Sequence, residues 1–251
     1  MEPMPAEEDD SLDITLRDPD EVASRSVVLA ALCRRAFLEL DAEQTDGSEL
    51  DEDRFDLLAW LRDEDLSDHF STEERVIFQA PVGSLDPGDT LMATWSAEAL
   101  APLCWALGLL PALPGPDRPA NAEALLGLLP SPDSATGSWR EDAAMRDEDA
   151  IAAAREAAEL WAWRATVQEL WATATVAERN DRLVAIRDVA HEGAALGLLP
   201  PPVDDDIPVL GRAYATAGDH ETLAIIAEWR LRALNWLCGF GDSWDTVPLD
   251  I

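Results

Sequence analysis

Apolar residues three and four positions apart, punctuated by glycine and proline, are what most restricts the folds open to this chain. Val22, Leu29, Leu32, Cys33, Ala36, Phe37 and Leu40 fall on one side of a helix. Asp147 to Ala174 reads as the longest helix, with one apolar face through Ile151, Ala154, Ala158, Trp161 and Ala165 and another through Leu160, Trp163, Val167, Leu170 and Trp171. Two such faces predict a central position. The last helix runs from a cap at Asp219 to a stop at Gly239, with Leu223, Ile226, Ala227, Leu231, Leu234 and Leu237 along its stripe. No segment of strand length alternates apolar and polar residues, and alanine and leucine outnumber valine and isoleucine. The expected fold class is all-α: a compact multi-helix domain with a long central helix and no substantial sheet.

Local signals divide the chain further. Ser71 and Glu74 have the spacing of a capping box ahead of Val76, Ile77 and Phe78. Asp89 is a cap candidate for a helix running through Trp95 and Trp105, and Pro102 within it predicts a kink or break that frees the Glu98 carbonyl. Gly-Leu-Leu-Pro occurs at Gly108, Gly127 and Gly197, each time after a helical stretch, and is helix-stop chemistry. A short helix is expected around Phe55 to Arg62, another from Ala177 to Leu196, and a third near Val209 to Thr216. Asp41 to Asp53 and Pro200 to Asp206 read as acidic loops. Residues 1–19 are acidic and poor in apolar groups, so a disordered tail is expected there, followed by a single domain over residues 20–251.

Charge narrows the function classes. The 251 residues carry 51 acidic and 18 basic side chains, for a formal net charge of -33, and every basic residue is arginine. Such a surface repels phosphate backbones and anionic lipid headgroups, which argues against direct nucleic-acid or membrane binding. Solubility, a salt-rich interior or genome composition accounts for the acidity without any functional role; a basic protein partner and nucleic-acid mimicry are the functional readings. Cys33, Cys104 and Cys238 are odd in number and lie in apolar helical sequence, as buried reduced thiols do. The first ten residues have no basic or apolar signal region, and the apolar run Ala99 to Leu113 falls short of the ~20 residues that span a bilayer. A cytoplasmic location is expected.

Catalytic signatures such as HExxH, CxxC, a phosphate-cradling glycine loop or a nucleophile elbow are absent from the sequence. His69, His191 and His220 each adjoin an acid, and Asp188 with His191 has a spacing that could place two ligands on one helix face. Solvated histidines are the expected state, with no metal or other cofactor. The better candidates are charges that interrupt apolar stripes, because a buried charge needs a partner. Glu98, Arg164, Arg230 and Asn235 are expected to form an internal polar network, or to line a pocket for a small polar ligand. Glu228 and Arg232 have the spacing of an exposed helix pair. Candidate partner contacts are Asp51, Glu52, Asp53, Asp204, Asp205 and Asp206, together with Trp139 and Trp244, which lie in less regular sequence.

Five segments together resemble the bacterial family called domain of unknown function 4272: STEERVIF at Ser71, TWSAEALAPLCWALGLLPALPGPD at Thr94, LWAWRA at Leu160, EWRLRALNWLCG at Glu228 and WDTVPLD at Trp244. The resemblance spans most of the chain from about residue 22 onward. It implies a compact helical domain of a bacterial cell interior and no particular activity. The expected function is a non-enzymatic interaction module that is accessory to, or neutralises, a basic partner. The alternatives are an enzyme or small-ligand binder built on the core polar cluster, and a nucleic-acid mimic.

Overall fold

A computed structural model describes residues 14–42 and 47–249. Nine α-helices lie within the described residues: α1 (Pro19–Asp41), α2 (Gly47–Asp63), α3 (Thr72–Gln79), α4 (Pro87–Ala106), α5 (Ala122–Leu126), α6 (Gly137–Glu141), α7 (Glu148–Glu169), α8 (Val176–Ala195) and α9 (His220–Leu237). A two-stranded antiparallel hairpin, β1 (Pro208–Val209) and β2 (Arg212–Ala213), is the sheet present among them.

Helices α1, α4, α9 and α7 pack side by side in that order. The row can close tightly because its facing surfaces are rich in small side chains. Ala23, Ala30 and Cys33 of α1 meet Ala97, Leu100 and Cys104 of α4, and Ala233, Leu234 and Leu237 of α9 complete this cluster. Almost every α4 residue from Ser96 to Cys104 is buried, as expected for a helix flanked on two sides. Helices α2 and α3 cover the other side of α1, where Leu57, Leu61, Ile77 and Phe78 pack on Val28 and Leu32. On the far side, Trp161 and Ala165 of α7, Ala190 of α8 and Leu223, Ala227 and Leu231 of α9 enclose Ile207, Val209 and Tyr214. Of the two apolar faces read in α7, the one through Ile151 and Trp161 packs in both clusters, while on the other Leu160 joins the α8 side and Leu170 stays 47% exposed. The expectation of the longest, central helix is corrected: α1 has 23 residues against 22 for α7, and the inner places of the row belong to α4 and α9.

Several local expectations are corrected. Asp41 to Asp53 is not a loop throughout, because Gly47 already lies in α2 and Leu50, Leu57 and Leu61 form its buried stripe. Acids near its N-terminus suit the positive end of the helix dipole. Helix α4 begins earlier than expected, with Asp86 accepting from the Gly88 and Asp89 amides and Pro87 in the first turn, and it continues through Pro102 without a break. Of the helix expected near Val209 to Thr216, a single 3-10 turn forms at Tyr214–Thr216; the residues before it make the hairpin, turned by Leu210 and Gly211 at φ 52° and 75°.

Two of the three Gly-Leu-Leu-Pro motifs stop their helices through a left-handed glycine. Gly108 has φ 72° and donates to the Trp105 carbonyl, while Leu109 donates to the Cys104 carbonyl. Gly197 does the same with Ala194, and Leu198 with Gly193. Gly127 ends α5 with φ -70°.

The expected tail is anchored from residue 14 onward; residues 1–13 of it lie outside the described residues. The Thr15 amide donates to the Cys238 carbonyl at 3.2 Å, and Arg17 donates from its amide to Leu237 and from Nε to Trp236. Ile14 and Leu16 pack against the core. No described helix is long and apolar enough to cross a membrane.

Candidate functional site

The four residues expected to share one polar cluster are distributed over three separate ones. Glu98 on α4 meets Arg230 on α9, with Nη2 to Oε2 at 2.8 Å and Nε to the same oxygen at 3.0 Å. Arg230 Nη1 donates to the Pro114 and Gly115 carbonyls, and Nη2 also donates to Arg118. All five N–H groups of this guanidinium are therefore engaged. Glu98 Oε1 accepts from the Ala120 amide at 2.6 Å. The pair ties the Pro-rich connection after α4 onto α9 and keeps no donor in reserve for a ligand.

Arg164 on α7 pairs instead with Asp206, Nε to Oδ1 at 2.7 Å and Nη2 to Oδ2 at 2.9 Å. Asp206 also accepts from the Ile207 and Ala215 amides, so both oxygens are doubly bonded to donors. Expected as an exposed contact residue, Asp206 is 5% exposed and organises the turn that leads into the hairpin. Behind this pair lies Tyr214, whose ring sits 4.5 Å from the Arg164 guanidinium and stacks on His220. Its buried hydroxyl has no partner among the described residues, and burial pushes its pKa up to about 12. Asn235 forms the third site, accepting from Arg155 Nε at 2.8 Å and donating to the Pro248 carbonyl at 2.9 Å.

Sequence reasoning missed a fourth buried pair. Arg25 on α1 makes a two-pronged ion pair with Glu74, and its Nη1 also donates to the His69 carbonyl. Glu74 acts twice, since its Oε2 closes the capping box by accepting from the Ser71 amide at 2.8 Å. The Arg25 guanidinium lies over the Trp244 ring at 4.0 Å. Asp245 accepts from the Thr72 amide and hydroxyl. The Trp-Asp pair near the C-terminus thus fastens the start of α3. The signal for Arg25 was present in the sequence: an arginine inside the apolar stretch from Val22 to Leu32.

The other expected contact residues differ in accessibility. Trp244 is 8% exposed and packs in the core, so it is corrected to an internal residue. Trp139 is half-buried beside two core clusters. Asp51 accepts from Arg54 and from the Val82 amide, and these bonds hold its carboxyl below the usual range. Glu52, Asp53, Asp204 and Asp205 are exposed.

His191 lies 2.9 Å from Asp205, His220 bonds the Tyr214 carbonyl, and His69 is half-buried. Among the described residues no group of three or more histidine, cysteine or acidic side chains is placed to hold a metal ion. Cys33, Cys104 and Cys238 are buried free thiols, and burial raises their pKa values to about 11, 12 and 11. Glu228 and Arg232 approach to 3.6 Å on the surface of α9.

Two concavities adjoin these clusters. An apolar one of about 230 Å³ lies between α7, α9 and Pro114–Pro116, with the engaged Arg230 at its edge. A groove of about 540 Å³ lies between α7, α8 and the segment around Asp204–Thr216. Trp171, Leu183 and Val184 form its apolar walls, Asp204 and Asp205 its rim, and the Arg164–Asp206 pair its floor.

A family model described as Domain of unknown function (DUF4272) matches residues 3–192. The segments at Glu228 and Trp244 that contributed to the resemblance lie beyond that match. No curated protein and no solved structure matches the chain.

Proposed function

Because the chain belongs to the DUF4272 family, whose description names no activity, we propose its function from the placement of its charges: it is a non-enzymatic interaction protein that engages a basic partner. One observation carries this reading. Six of the 18 arginines, Arg25, Arg35, Arg54, Arg155, Arg164 and Arg230, are buried. Folding removes these positive charges from the surface while most carboxylates stay outside, so the face offered to a partner is still more one-sided than the composition implies.

The condition of the buried groups supports binding over catalysis. Arg230 with Glu98, and Asp206 with Arg164, spend their hydrogen bonds on each other or on backbone groups. A general acid or base has to reach a substrate proton, and a saturated pair has no free atom with which to do so. The exposed acids are therefore the contact groups: Glu52, Asp53 and Asp56 on α2, beside the exposed Phe55 ring, and Asp204 and Asp205 across the molecule. Rim charges of this kind govern association rate and salt dependence.

The test is retention from a cell extract on the immobilised full chain at low and moderate salt, with every retained protein purified and bound again. A stoichiometric basic protein released by salt is expected. Retention of a small molecule with no basic protein would overturn the proposal.

A further inference from the structure

The groove between α7, α8 and the Asp204–Thr216 segment has a chemistry that suits one kind of occupant. Its walls carry apolar side chains that the fold leaves in water: Leu183 is 54% and Val184 49% exposed. Val176, at 75%, lies two turns earlier on the same side of α8, with Arg179, which reaches over the Trp171 ring at 5.8 Å, between them. Single exposed apolar residues need no explanation, whereas several that open into one groove mark a contact surface. Positions 176 to 184 span about 12 Å of helix, a length that a chain segment can follow.

Charge decides among the segments. The floor is neutral, because Arg164 and Asp206 satisfy each other, and Arg187 at the side is bonded to Asp188 at 2.8 Å. The rim carboxylates of Asp204 and Asp205 are exposed, with His191 beside the second. A second copy of this chain would bring another -33 against the first, so self-association is disfavoured. A segment with apolar residues on one side and arginine or lysine on the other satisfies both walls and rim.

We propose that this groove receives an amphipathic basic segment of a protein partner, its apolar side chains against Trp171, Leu183 and Val184 and a cationic side chain between Asp204 and Asp205. This rests on the basic-partner reading above and assigns that partner's docking site. The mode is that of an amphipathic helix in a groove, where the apolar face supplies affinity and the charged rim fixes direction.

The test is fluorescence anisotropy of a labelled peptide with leucine on one helical face and arginine on the other, titrated with the full chain and three surface double variants. Leu183→Ser with Val184→Ser changes no charge, so any loss it causes is not general electrostatic attraction. It is expected to weaken binding about tenfold, which is about 1.4 kcal/mol. Asp204→Asn with Asp205→Asn is expected to weaken binding and flatten its salt dependence. Asp68→Asn with Glu73→Gln, exposed acids at and just before α3 on the other side of α1, is expected to change it less than about twofold.

Peptide binding that survives the Leu183/Val184 variant, or that falls as far in the Asp68/Glu73 variant, would overturn the groove assignment while leaving a basic partner in place. Failure of the peptide and of every basic protein in the extract to bind at low salt would remove the underlying reading as well.

Discussion

Glu98 and Arg230 are each nearly inaccessible to water, so deleting one strands the other. In Glu98→Ala the Arg230 guanidinium keeps its carbonyl partners and loses its counter-charge, and the Ala120 amide loses its acceptor. The expected cost is about 3–5 kcal/mol, read from the urea midpoint with the slope unchanged. Tyr214→Phe should behave in the opposite way. It removes a buried hydroxyl with no partner among the described residues while keeping the ring against Arg164 and His220, so stability should be unchanged or rise by up to about 1–3 kcal/mol. A loss beyond ~1 kcal/mol in the same measurement would show that the hydroxyl has a partner after all. Glu98 and Arg230 were legible as charges within apolar stripes. Their pairing partners were not, because residues 132 apart meet only when two helices are known to pack. Asp206 was misread for the same reason: an acid in a loop sequence looks solvated until an arginine from another helix arrives.

At the scale of the helix, glycine positions separate local conformation from tertiary contact. Gly108 and Gly239 both follow a helix with positive φ, at 72° and 84°. A Cβ on Gly108 would meet nothing within 4 Å, whereas one on Gly239 would lie 2.5 Å from the Thr15 carbonyl oxygen. Gly108→Ala is therefore expected to cost only the left-handed strain, about 1–2 kcal/mol. Gly239→Ala should cost clearly more and also loosen the residue 14–18 segment, visible as faster amide exchange at Thr15 and Arg17, whose N–H groups bond the end of α9. Equal losses for the two variants would mean that the segment yields freely. Stops and caps of this kind were readable because they are local chemistry: Ser71, Asp219 and the left-handed glycines need only their neighbours. Pro102 was not, since a proline costs an isolated helix ~3 kcal/mol and α4 is held between α1 and α9 by packing that outweighs it. The acid-rich start of α2 was obscured in a similar way, its apolar stripe being thin until Leu57 and Leu61 find α1 and α3.

For the molecule as a whole, burial of arginine leaves a surface whose self-repulsion opposes folding. Sodium chloride should therefore stabilise the protein. Raising ionic strength from about 0.01 M to about 1 M shortens the screening length from about 30 Å to about 3 Å, which weakens repulsion between exposed carboxylates across the whole surface. Two terms work against this gain, and both are small. Exposed pairs such as Arg62–Asp63, Arg187–Asp188 and Arg232–Glu228 lose attraction, but pairs of that kind contribute only about 0–1 kcal/mol each. The buried pairs Arg25–Glu74, Arg164–Asp206 and Arg230–Glu98 are shielded from mobile ions and should be nearly indifferent. The thermal midpoint should accordingly rise through the salt series, while affinity for a basic partner falls through the same series. The two trends have one origin, and a midpoint that fell with salt would show that attraction among exposed pairs, not carboxylate repulsion, dominates the surface.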